Sequence, residues 1–271
     1  MTGEIEIVDA GLATTVQDLG RPGYGHLGVP ASGAVDPALV GVLNRLVGNP
    51  PNAASIETCG GLVIRALADV LVATSAELAP TSLRPGQLCS VPGGGGRLWQ
   101  YVAVRGGIQV EQTLGSASTD TLSGLGPAPL GVGDRLLIGD LATDPIVADL
   151  APVAQIVDVA RVTVGPRADW FTPDWASDVG RSRWVVTATS RVGVRLHGEP
   201  MRRIVTRELP SEGLVRGAVQ VPPDGDLVMM LADHPTTGGY PVIAVVHPDD
   251  VAVIAQHPVG ASIRLRLTDS G

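Results

Sequence analysis

Short runs rich in β-branched and other apolar residues recur along the chain, and turns rich in glycine and proline separate them. The runs lie at 4–8, 62–65, 70–74, 98–104, 162–165, 184–189, 227–231, 242–246 and 262–267. Runs of this length with turn residues at both ends are typical of β-strands. The 35 glycines and 22 prolines interrupt the chain too often for long helices. The pattern therefore predicts a mainly β protein built as an antiparallel barrel or sandwich.

Two segments carry the signals of helices. The first covers residues 36–47, where Asp36 can cap the N-terminus, Pro37 suits the first helical position and Gly48 can adopt the left-handed conformation that ends a helix. The second starts near Pro248 and runs to about Gln256. It has two aspartates in its first turn, where their negative charge interacts favourably with the positive end of the helix dipole. We expect both helices to flank or plug a barrel rather than carry chemistry.

A stretch of weak pattern, residues 140–155, separates two glycine-rich halves. We expect it to be a linker between an N-terminal domain at 1–145 and a C-terminal domain at 156–271, with segments that can interleave at this boundary. A chain of 271 residues with 44% hydrophobic composition can bury a large core, which excludes a disordered protein.

Charge and targeting signals narrow the class of function. The formal net charge is -8 and basic residues do not cluster, which disfavours nucleic acid or an anionic membrane as a partner. There is no apolar run of about 18 residues, and acids stand where a signal peptide needs a basic stretch, so we expect a cytoplasmic protein. Small molecules and other proteins remain as partners.

The residue types present limit the chemistry. The chain has no lysine, so its 19 basic side chains are all arginine, and a Walker A loop, a Schiff base and a serine amidase with a lysine relay are excluded. Its two cysteines stand far apart, and its five histidines show no metal-binding spacing, so we expect reduced thiols and no metal site. GYGHLG at 23–28 fits the dinucleotide fingerprint, but the prolines on both sides favour a turn-rich loop.

Four segments combine turn residues with many polar side chains, and such loops on a rigid scaffold commonly carry binding groups. They are TTVQDLGRPGYGHLG at 14–28, RGGIQVEQTLGSAST at 105–119, SEGLVRGAVQVPPDG at 211–225 and LADHPTTGGYP at 231–241. With LNRLVGNP and the glutamate of SIETCGG, these blocks resemble the family called allophanate hydrolase subunit 2 or the C component of 5-oxoprolinase, also described as the biotin-dependent carboxyltransferase family. The resemblance runs from about Gly11 to Leu267.

The resemblance implies a fold and a set of partners. The fold is mainly β, with two cyclophilin-like antiparallel β-barrel domains and a few short helices. The implied partner is the homologous subunit 1, or the B component of 5-oxoprolinase, joined by a third lactam-processing subunit. The implied activity is that of a non-autonomous subunit of an ATP-dependent 5-oxoprolinase, which opens the lactam of 5-oxoproline to glutamate. ATP would bind at or through the partner subunit.

The resemblance leaves two other functions open. One is a carboxyltransferase-type component that acts on urea or allophanate and uses biotin. The other is a regulatory module without chemistry, which binds the partner subunit. The inherited name allophanate hydrolase does not fit by mechanism, because amidases of that type use a Ser-Ser-Lys arrangement and this chain has no lysine.

Opening a lactam and carboxylating urea both place negative charge on an oxygen, so the site requires hydrogen-bond donors aimed at that oxygen. The residues expected to clamp or stabilise charge, or to act as bases or arginine partners, are Arg21, Arg105, Arg191, Asp18 and Asp233. The residues expected to bind an amide substrate are Gln17, Gly106, Gly107, Ser116, Gln220, Thr237, Gly238, Gly239 and Tyr240. We expect the glycines to leave their backbone N–H groups approachable.

Three positions depart from the pattern of the family that the chain resembles. Ala117 stands where an arginine is usual, Asp120 where a tyrosine is common, and Pro235 where a glutamine is usual. If these side chains contact substrate in relatives, we expect this chain either to differ from them in specificity or to have lost activity.

Overall fold

The computed structural model describes residues 3–94, 96–142, 144–146, 150–151 and 156–268. Part of the predicted linker at 140–155 therefore lies outside the described residues. The chain divides into two compact units. The N-terminal unit comprises residues 1–22 and 32–155, and the C-terminal unit comprises residues 23–31 and 156–271.

The N-terminal unit has ten strands and one helix among its described residues. The strands are β1 (Glu4–Ala10), β2 (Thr15–Gln17), β3 (Ser55–Thr58), β4 (Leu62–Ala66), β5 (Val70–Thr74), β6 (Pro80–Leu83), β7 (Leu88–Val91), β8 (Gln100–Val104), β9 (Ile108–Gln109) and β10 (Arg135–Ile138), and the helix is α1 (Pro37–Leu46). They form two five-stranded sheets, with the orders β7-β4-β1-β10-β9 and β2-β3-β8-β5-β6. Apolar side chains from both sheets, such as Ile7 and Val102, belong to one buried core.

The C-terminal unit is built around a closed barrel. Its described strands and α-helices are β11 (Val159–Val164), α2 (Trp175–Arg181), β12 (Trp184–Thr189), β13 (Gly193–His197), β14 (Glu212–Gly213), β15 (Ala218–Gln220), β16 (Leu227–Met230), β17 (Thr237–Gly238), β18 (Val242–Val246), α3 (Pro248–Ala255) and β19 (Ser262–Leu267). Seven strands close in the order β11-β18-β15-β16-β13-β12-β19, and β14 pairs with β17 as a separate ribbon.

The prediction of a mainly β fold with few short helices is confirmed. One strand pair departs from the predicted antiparallel arrangement, because β11 and β19 run parallel where the barrel closes. These strands come from the two ends of the unit, and local sequence patterns do not report the direction in which distant strands pair. The 23–28 segment holds a short 3-10 helix at Gly25–Leu27, which lies between β2 and α1, so the glycines do not lead directly from a strand into an α-helix, as a dinucleotide loop would.

Both predicted helices are present, with the expected signals at their ends. The Asp36 side chain accepts a hydrogen bond from the Leu39 amide at 3.0 Å, which caps α1, and Gly48 has the left-handed φ of 72°. In α3, Asp250 lies in the first turn and its carboxylate also binds the Arg161 side chain at 2.7 and 2.8 Å. No helix in the described part of the chain combines the length and apolar character of a membrane span.

A buried tyrosine joins the start of α1 to the strands beneath it. The Tyr101 hydroxyl donates to Glu57 Oε2 at 2.7 Å and accepts from the Asp36 amide at 2.8 Å. The same Glu57 oxygen accepts the Val35 amide at 2.8 Å. Burial, followed by the nearby Glu57 carboxylate, raises the pKa of Tyr101 well above its ordinary value of 10.0. The neutral phenol is therefore the form that the native structure requires.

Replacement of Tyr101 by phenylalanine tests this network. We expect it to lower the free energy of unfolding by about 1–3 kcal/mol, because a buried carboxylate loses a donor. Since the native pKa is raised, the stabilisation is complete below about pH 10 and is lost as the pH rises further, while the unfolded chain releases its proton first. Melting temperatures between about pH 8 and 11.5 should fall less steeply for Y101F than for wild type. Tyr240→Phe, at an exposed tyrosine, should keep the wild-type slope, and equal slopes for Y101F and wild type would contradict the prediction.

Candidate functional site

The N-terminal unit contains a cavity of about 560 Å³. This volume lies in the range of small-molecule pockets. Its lining combines polar and apolar groups and comprises Asp18, Pro50, Asn52, Ala53, Ala54, Gly106, Ile108, Gln109, Val110, Gln112, Gly115, Ala117, Gly139, Asp140 and Leu141. Two of the predicted site residues, Asp18 and Gly106, are part of this lining.

The Asp18 carboxylate is the best-connected group of this wall. Its Oδ1 accepts hydrogen bonds from the Ser116 hydroxyl at 2.6 Å, the Ser118 hydroxyl at 2.5 Å and the Gly20 amide at 2.7 Å. Its Oδ2 accepts one hydrogen bond, from the Ala117 amide at 2.7 Å. A carboxylate has about two acceptor sites on each oxygen, so Oδ2 is the atom with room for a further donor. The predicted residues Asp18 and Ser116 are thus brought into direct contact.

Arg21 and Gln17 lie beside this network and tie the same two segments together. The Arg21 guanidinium is buried and donates to the backbone carbonyls of Thr113, at 3.2 Å, and of Ser118. Gln17 Nε2 donates to the carbonyl of Thr119 at 2.8 Å. Arg21 Nη1 and Gln17 Oε1 are buried and have no hydrogen-bond partner among the described residues. Both side chains therefore hold the 113–119 loop in place, and each keeps one unused polar atom.

The turn at Gly106 and Gly107 is held from below by Asn49. Asn49 Oδ1 accepts the Gly106 amide at 2.8 Å, and the Gly107 amide donates to the Val104 carbonyl at 2.8 Å. The expectation that these two N–H groups stay approachable is therefore wrong, because both are already used within the chain. Glycine is required at 106 for packing: φ is 98°, and a Cβ there would lie 2.2 Å from the Gly139 carbonyl oxygen.

Arg105 binds the end of α1. Its Nη1 donates to the carbonyl of Val47 at 2.7 Å and to that of Asp144 at 3.3 Å. A cation at this position satisfies carbonyls that a helix end leaves without partners and complements the helix dipole. Its role as a charge clamp stays a prediction, and the structure places the guanidinium on backbone carbonyls rather than in the cavity lining.

In the C-terminal unit, the predicted residues from the 211–225 and 231–241 segments come together. Gln220 Nε2 donates to the Tyr240 carbonyl at 3.0 Å, and a Cβ on Gly238 would lie 2.6 Å from the same Nε2. Strand β17, which holds Thr237 and Gly238, pairs with β14. A Cβ on Gly239 would lie 3.5 Å from the Leu209 carbonyl. Tyr240 follows directly and is 45% exposed, so its ring is open to a ligand or partner.

Arg191 and Asp233 form a buried ion pair in the C-terminal unit. Two hydrogen bonds join the guanidinium to the carboxylate, Nε to Oδ2 at 2.8 Å and Nη2 to Oδ1 at 2.9 Å. The side chains are 2% and 0% exposed. The structure thus makes Asp233 the partner of an arginine, which is one of the two expected roles for this acid. A contribution of either residue to catalysis stays a prediction.

A second cavity lies in the C-terminal unit, and its lining residues were not among the predicted site residues. It measures about 410 Å³ and is lined by Arg167, Trp170, Arg207, Glu208, Leu209, Pro210 and Glu212. Arg167 binds Glu212, and this hydrogen bond is the main reason why the pKa of Glu212 lies below its ordinary range. The Arg207 guanidinium lies 5.5 Å from the Trp170 ring centroid. Glu212 lies in the polar 211–225 segment but was not among the predicted site residues, and no local pattern marked Trp170 or Arg207.

The three departures from the family pattern fall in different surroundings. Ala117 lines the first cavity, next to Asp18. Asp120 holds its own turn, because its Oδ1 accepts the amides of Leu122 and Ser123 at 2.9 and 3.2 Å. The Pro235 carbonyl lies 2.8 Å from Nδ1 of His234. Of the three, Ala117 is the one with a direct place in a cavity.

Comparison with known families matches residues 27–267 to the carboxyltransferase domain, subdomain A and B. The chain is 35% identical over 279 residues to the C component of 5-oxoprolinase from Escherichia coli (strain K12), a match that covers 96% of this chain and 89% of the relative. It is 31% identical to urea amidolyase of Lachancea kluyveri over 96% of this chain and 16% of that protein.

A solved structure, that of TTHA0988, has a similar fold. It superimposes with a TM-score of 0.86 at 30% identity, over 98% of this chain and 56% of the TTHA0988 chain. The chain thus spans about half of that structure, a small part of the urea amidolyase and nearly all of the bacterial 5-oxoprolinase component.

Proposed function

Because the chain belongs to the family of the carboxyltransferase domain, subdomain A and B, we propose that it is a non-autonomous subunit of an ATP-dependent 5-oxoprolinase complex. The complex would hydrolyse the lactam of 5-oxoproline to glutamate. The observation that carries this proposal is the match to the C component of a 5-oxoprolinase along almost the full length of both chains. The homologous subunit 1, also called the B component of 5-oxoprolinase, and a third lactam-processing subunit would complete the complex. Its location in the cytoplasm stays a prediction.

The first cavity supplies the groups of this chain that suit an amide substrate. Asp18 Oδ2 can accept an amide N–H, and the carboxamides of Asn52, Gln109 and Gln112 can donate to an amide oxygen. Ser116, Ser118 and the Ala117 amide hold the Asp18 carboxylate in one orientation. Such preorganisation is the usual contribution of a protein to a reaction in which charge develops on oxygen.

ATP enters this reaction as a substrate, and the residues of this chain do not fit a phosphate loop. The chain has no lysine, and the amides of Gly106 and Gly107 already donate to Asn49 and Val104. We therefore assign ATP binding to the partner subunit or to the surface that it completes.

Reconstitution tests the proposal. We expect the chain to co-purify with the B component, and the complex of both with the third, lactam-processing subunit to release glutamate and phosphate from 5-oxoproline and ATP. The chain alone should show no turnover above background. Strong 5-oxoproline hydrolysis by the isolated chain, or an assembled complex that leaves 5-oxoproline unchanged, contradicts the proposal.

A second function is favoured by the match to urea amidolyase over 96% of this chain. In that case the chain would form part of a carboxyltransferase that acts on urea or allophanate with carboxybiotin. Biotin-dependent consumption of urea by a complex that contains this chain, without hydrolysis of 5-oxoproline, would establish it. Assembly with the partner without either activity would indicate the regulatory module.

A further inference from the structure

The lining of the first cavity has an unbalanced charge. It contains two carboxylates, Asp18 and Asp140, and its other polar side chains are the three uncharged carboxamides of Asn52, Gln109 and Gln112. No arginine or histidine is present among the described residues that line it. The residues outside the described ranges include no arginine, lysine or histidine, so none of them can add a cationic side chain.

The nearest arginines in the sequence are engaged elsewhere. Arg21 directs Nε and Nη2 at the carbonyls of Thr113 and Ser118, and it does not line the cavity. Arg105 directs Nη1 at the carbonyls of Val47 and Asp144. Neither arginine belongs to the described lining of the cavity, so the lining supplies no guanidinium that could clamp a carboxylate.

We propose that this cavity binds the amide group of an uncharged lactam or carboxamide and disfavours a ligand that carries a carboxylate. The inference rests on the proposed function, since it takes the ligand to be the amide substrate of the complex. An amide N–H can reach the free acceptor position of Asp18 Oδ2, while the carboxamides of the wall can donate to its carbonyl oxygen. A carboxylate placed beside Asp18 and Asp140 meets like charges and no counter-ion in the described lining, and this repulsion opposes binding. A carboxylate-bearing substrate would need a cation supplied by a partner subunit.

A matched set of three ligands tests the preference. 5-Oxoproline and 5-oxoprolinamide have the same lactam ring, but the first carries a carboxylate and the second an uncharged carboxamide. The third ligand, 2-pyrrolidinone, has the ring without either group. Titration of the isolated full chain at low ionic strength, followed by calorimetry or ligand-observed NMR, should show binding of 5-oxoprolinamide at least about fivefold tighter than that of 5-oxoproline. The ratio should shrink as salt is added, because salt screens the repulsion. Equal or tighter binding of 5-oxoproline, or no binding of any of the three, overturns the proposal.

Three variants locate the effect in the cavity. Asp140→Asn should improve binding of 5-oxoproline by about twofold to threefold and leave binding of 5-oxoprolinamide unchanged. Asp69→Asn, at an exposed acid of the same unit outside the lining, is the matched control and should change neither. Gln112→Trp, at an exposed lining position, should weaken binding of the uncharged ligands, because the larger side chain occupies part of the cavity and one carboxamide donor is lost. Unchanged binding in Q112W would show that the ligands bind elsewhere and would overturn the assignment.

The outcome is separable from that of the proposed function. Hydrolysis of 5-oxoproline by the assembled complex, combined with a preference of the isolated chain for the anion, refutes the charge inference alone. A preference for the uncharged amide, combined with a complex that is inactive on 5-oxoproline, refutes the proposed activity alone. Activity of the complex on 5-oxoproline with a preference of the isolated chain for the amide supports both, and it assigns recognition of the carboxylate to a partner.

Discussion

Replacement of Asp233 by alanine is expected to lower the free energy of unfolding by about 3–5 kcal/mol, because it leaves the Arg191 guanidinium buried without its bidentate partner. The side chains of the pair are 2% and 0% exposed, so bulk water does not hydrate the guanidinium that loses its carboxylate. Arg191→Ala should have an effect of similar size, since it leaves the carboxylate buried instead. The shift of the urea denaturation midpoint measures this loss of stability, provided that the variant and the wild type have the same m-value.

The size of this effect depends on burial, and the same barrel offers a control. Arg195 forms ion pairs with Asp224 and Asp226, and the side chains of Arg195 and Asp224 are substantially exposed. Asp224→Ala should leave the urea midpoint nearly unchanged, because exposed ion pairs contribute little. The double variant Arg191→Met with Asp233→Leu should recover much of the stability, since apolar replacement of a buried pair removes both charges together. A wild-type midpoint for D233A would show that the pair is not buried in solution.

Replacement of Asp18 by asparagine is expected to reduce kcat/KM of the reconstituted complex by about 100-fold, equivalent to about 2.7 kcal/mol. The carboxylate receives four hydrogen bonds, and those to a charged group are about twice as strong as neutral ones. An asparagine presents an NH₂ group either to the Ala117 amide or to the three donors on Oδ1, so one side of the cavity wall loses its support. The measurement is the initial rate of glutamate release at several substrate concentrations.

Two further variants separate the role of Asp18 from general damage to the loop. Asp120→Asn, at a buried aspartate that supports its own turn in the same region, keeps one acceptor oxygen for the Leu122 and Ser123 amides and should retain most activity. Ser116→Ala removes one of the donors to Asp18 and should give an intermediate loss of about tenfold. Co-purification with the partner confirms that each variant is folded. A folded D18N complex with more than about half of the wild-type kcat/KM would remove Asp18 from the site.

Several elements could be predicted from short stretches of sequence because their signals are local. Strands β5, β12, β18 and β19 have the predicted bounds, since runs such as Val242–Val246 combine β-branched residues with turn residues at both ends. Helix α1 has its cap at Asp36 for a similar reason, because a side chain three residues away supplies the hydrogen bond. Strand β3 was missed: its residues Ser55–Thr58 are all buried, but three of the four are polar, so no apolar run marks it.

The site could be predicted less completely than the fold. The predicted polar blocks contained these residues, but only the structure shows that Asp18 and Ser116 form one cluster and that Gln220, Gly238 and Tyr240 form another. The reason for choosing Gly106 and Gly107 was wrong, because a sequence shows that an amide exists but does not show whether it is already bonded. Asn49, which accepts the Gly106 amide, lies 57 residues away from it in the chain.

By itself, the sequence determined that the chain is mainly β, that it lacks lysine chemistry and that its polar loops resemble those of one family. These properties depend on composition and on patterns within a few residues. Only the tertiary structure decided that Arg191 is neutralised by Asp233, that Asp18 meets Ser116 across 98 positions, and that the cavity beside Asp18 has no arginine among its described lining. Those facts depend on which distant groups share a hydrogen bond or line the same cavity, and the packing within each unit brings these groups together rather than any local preference.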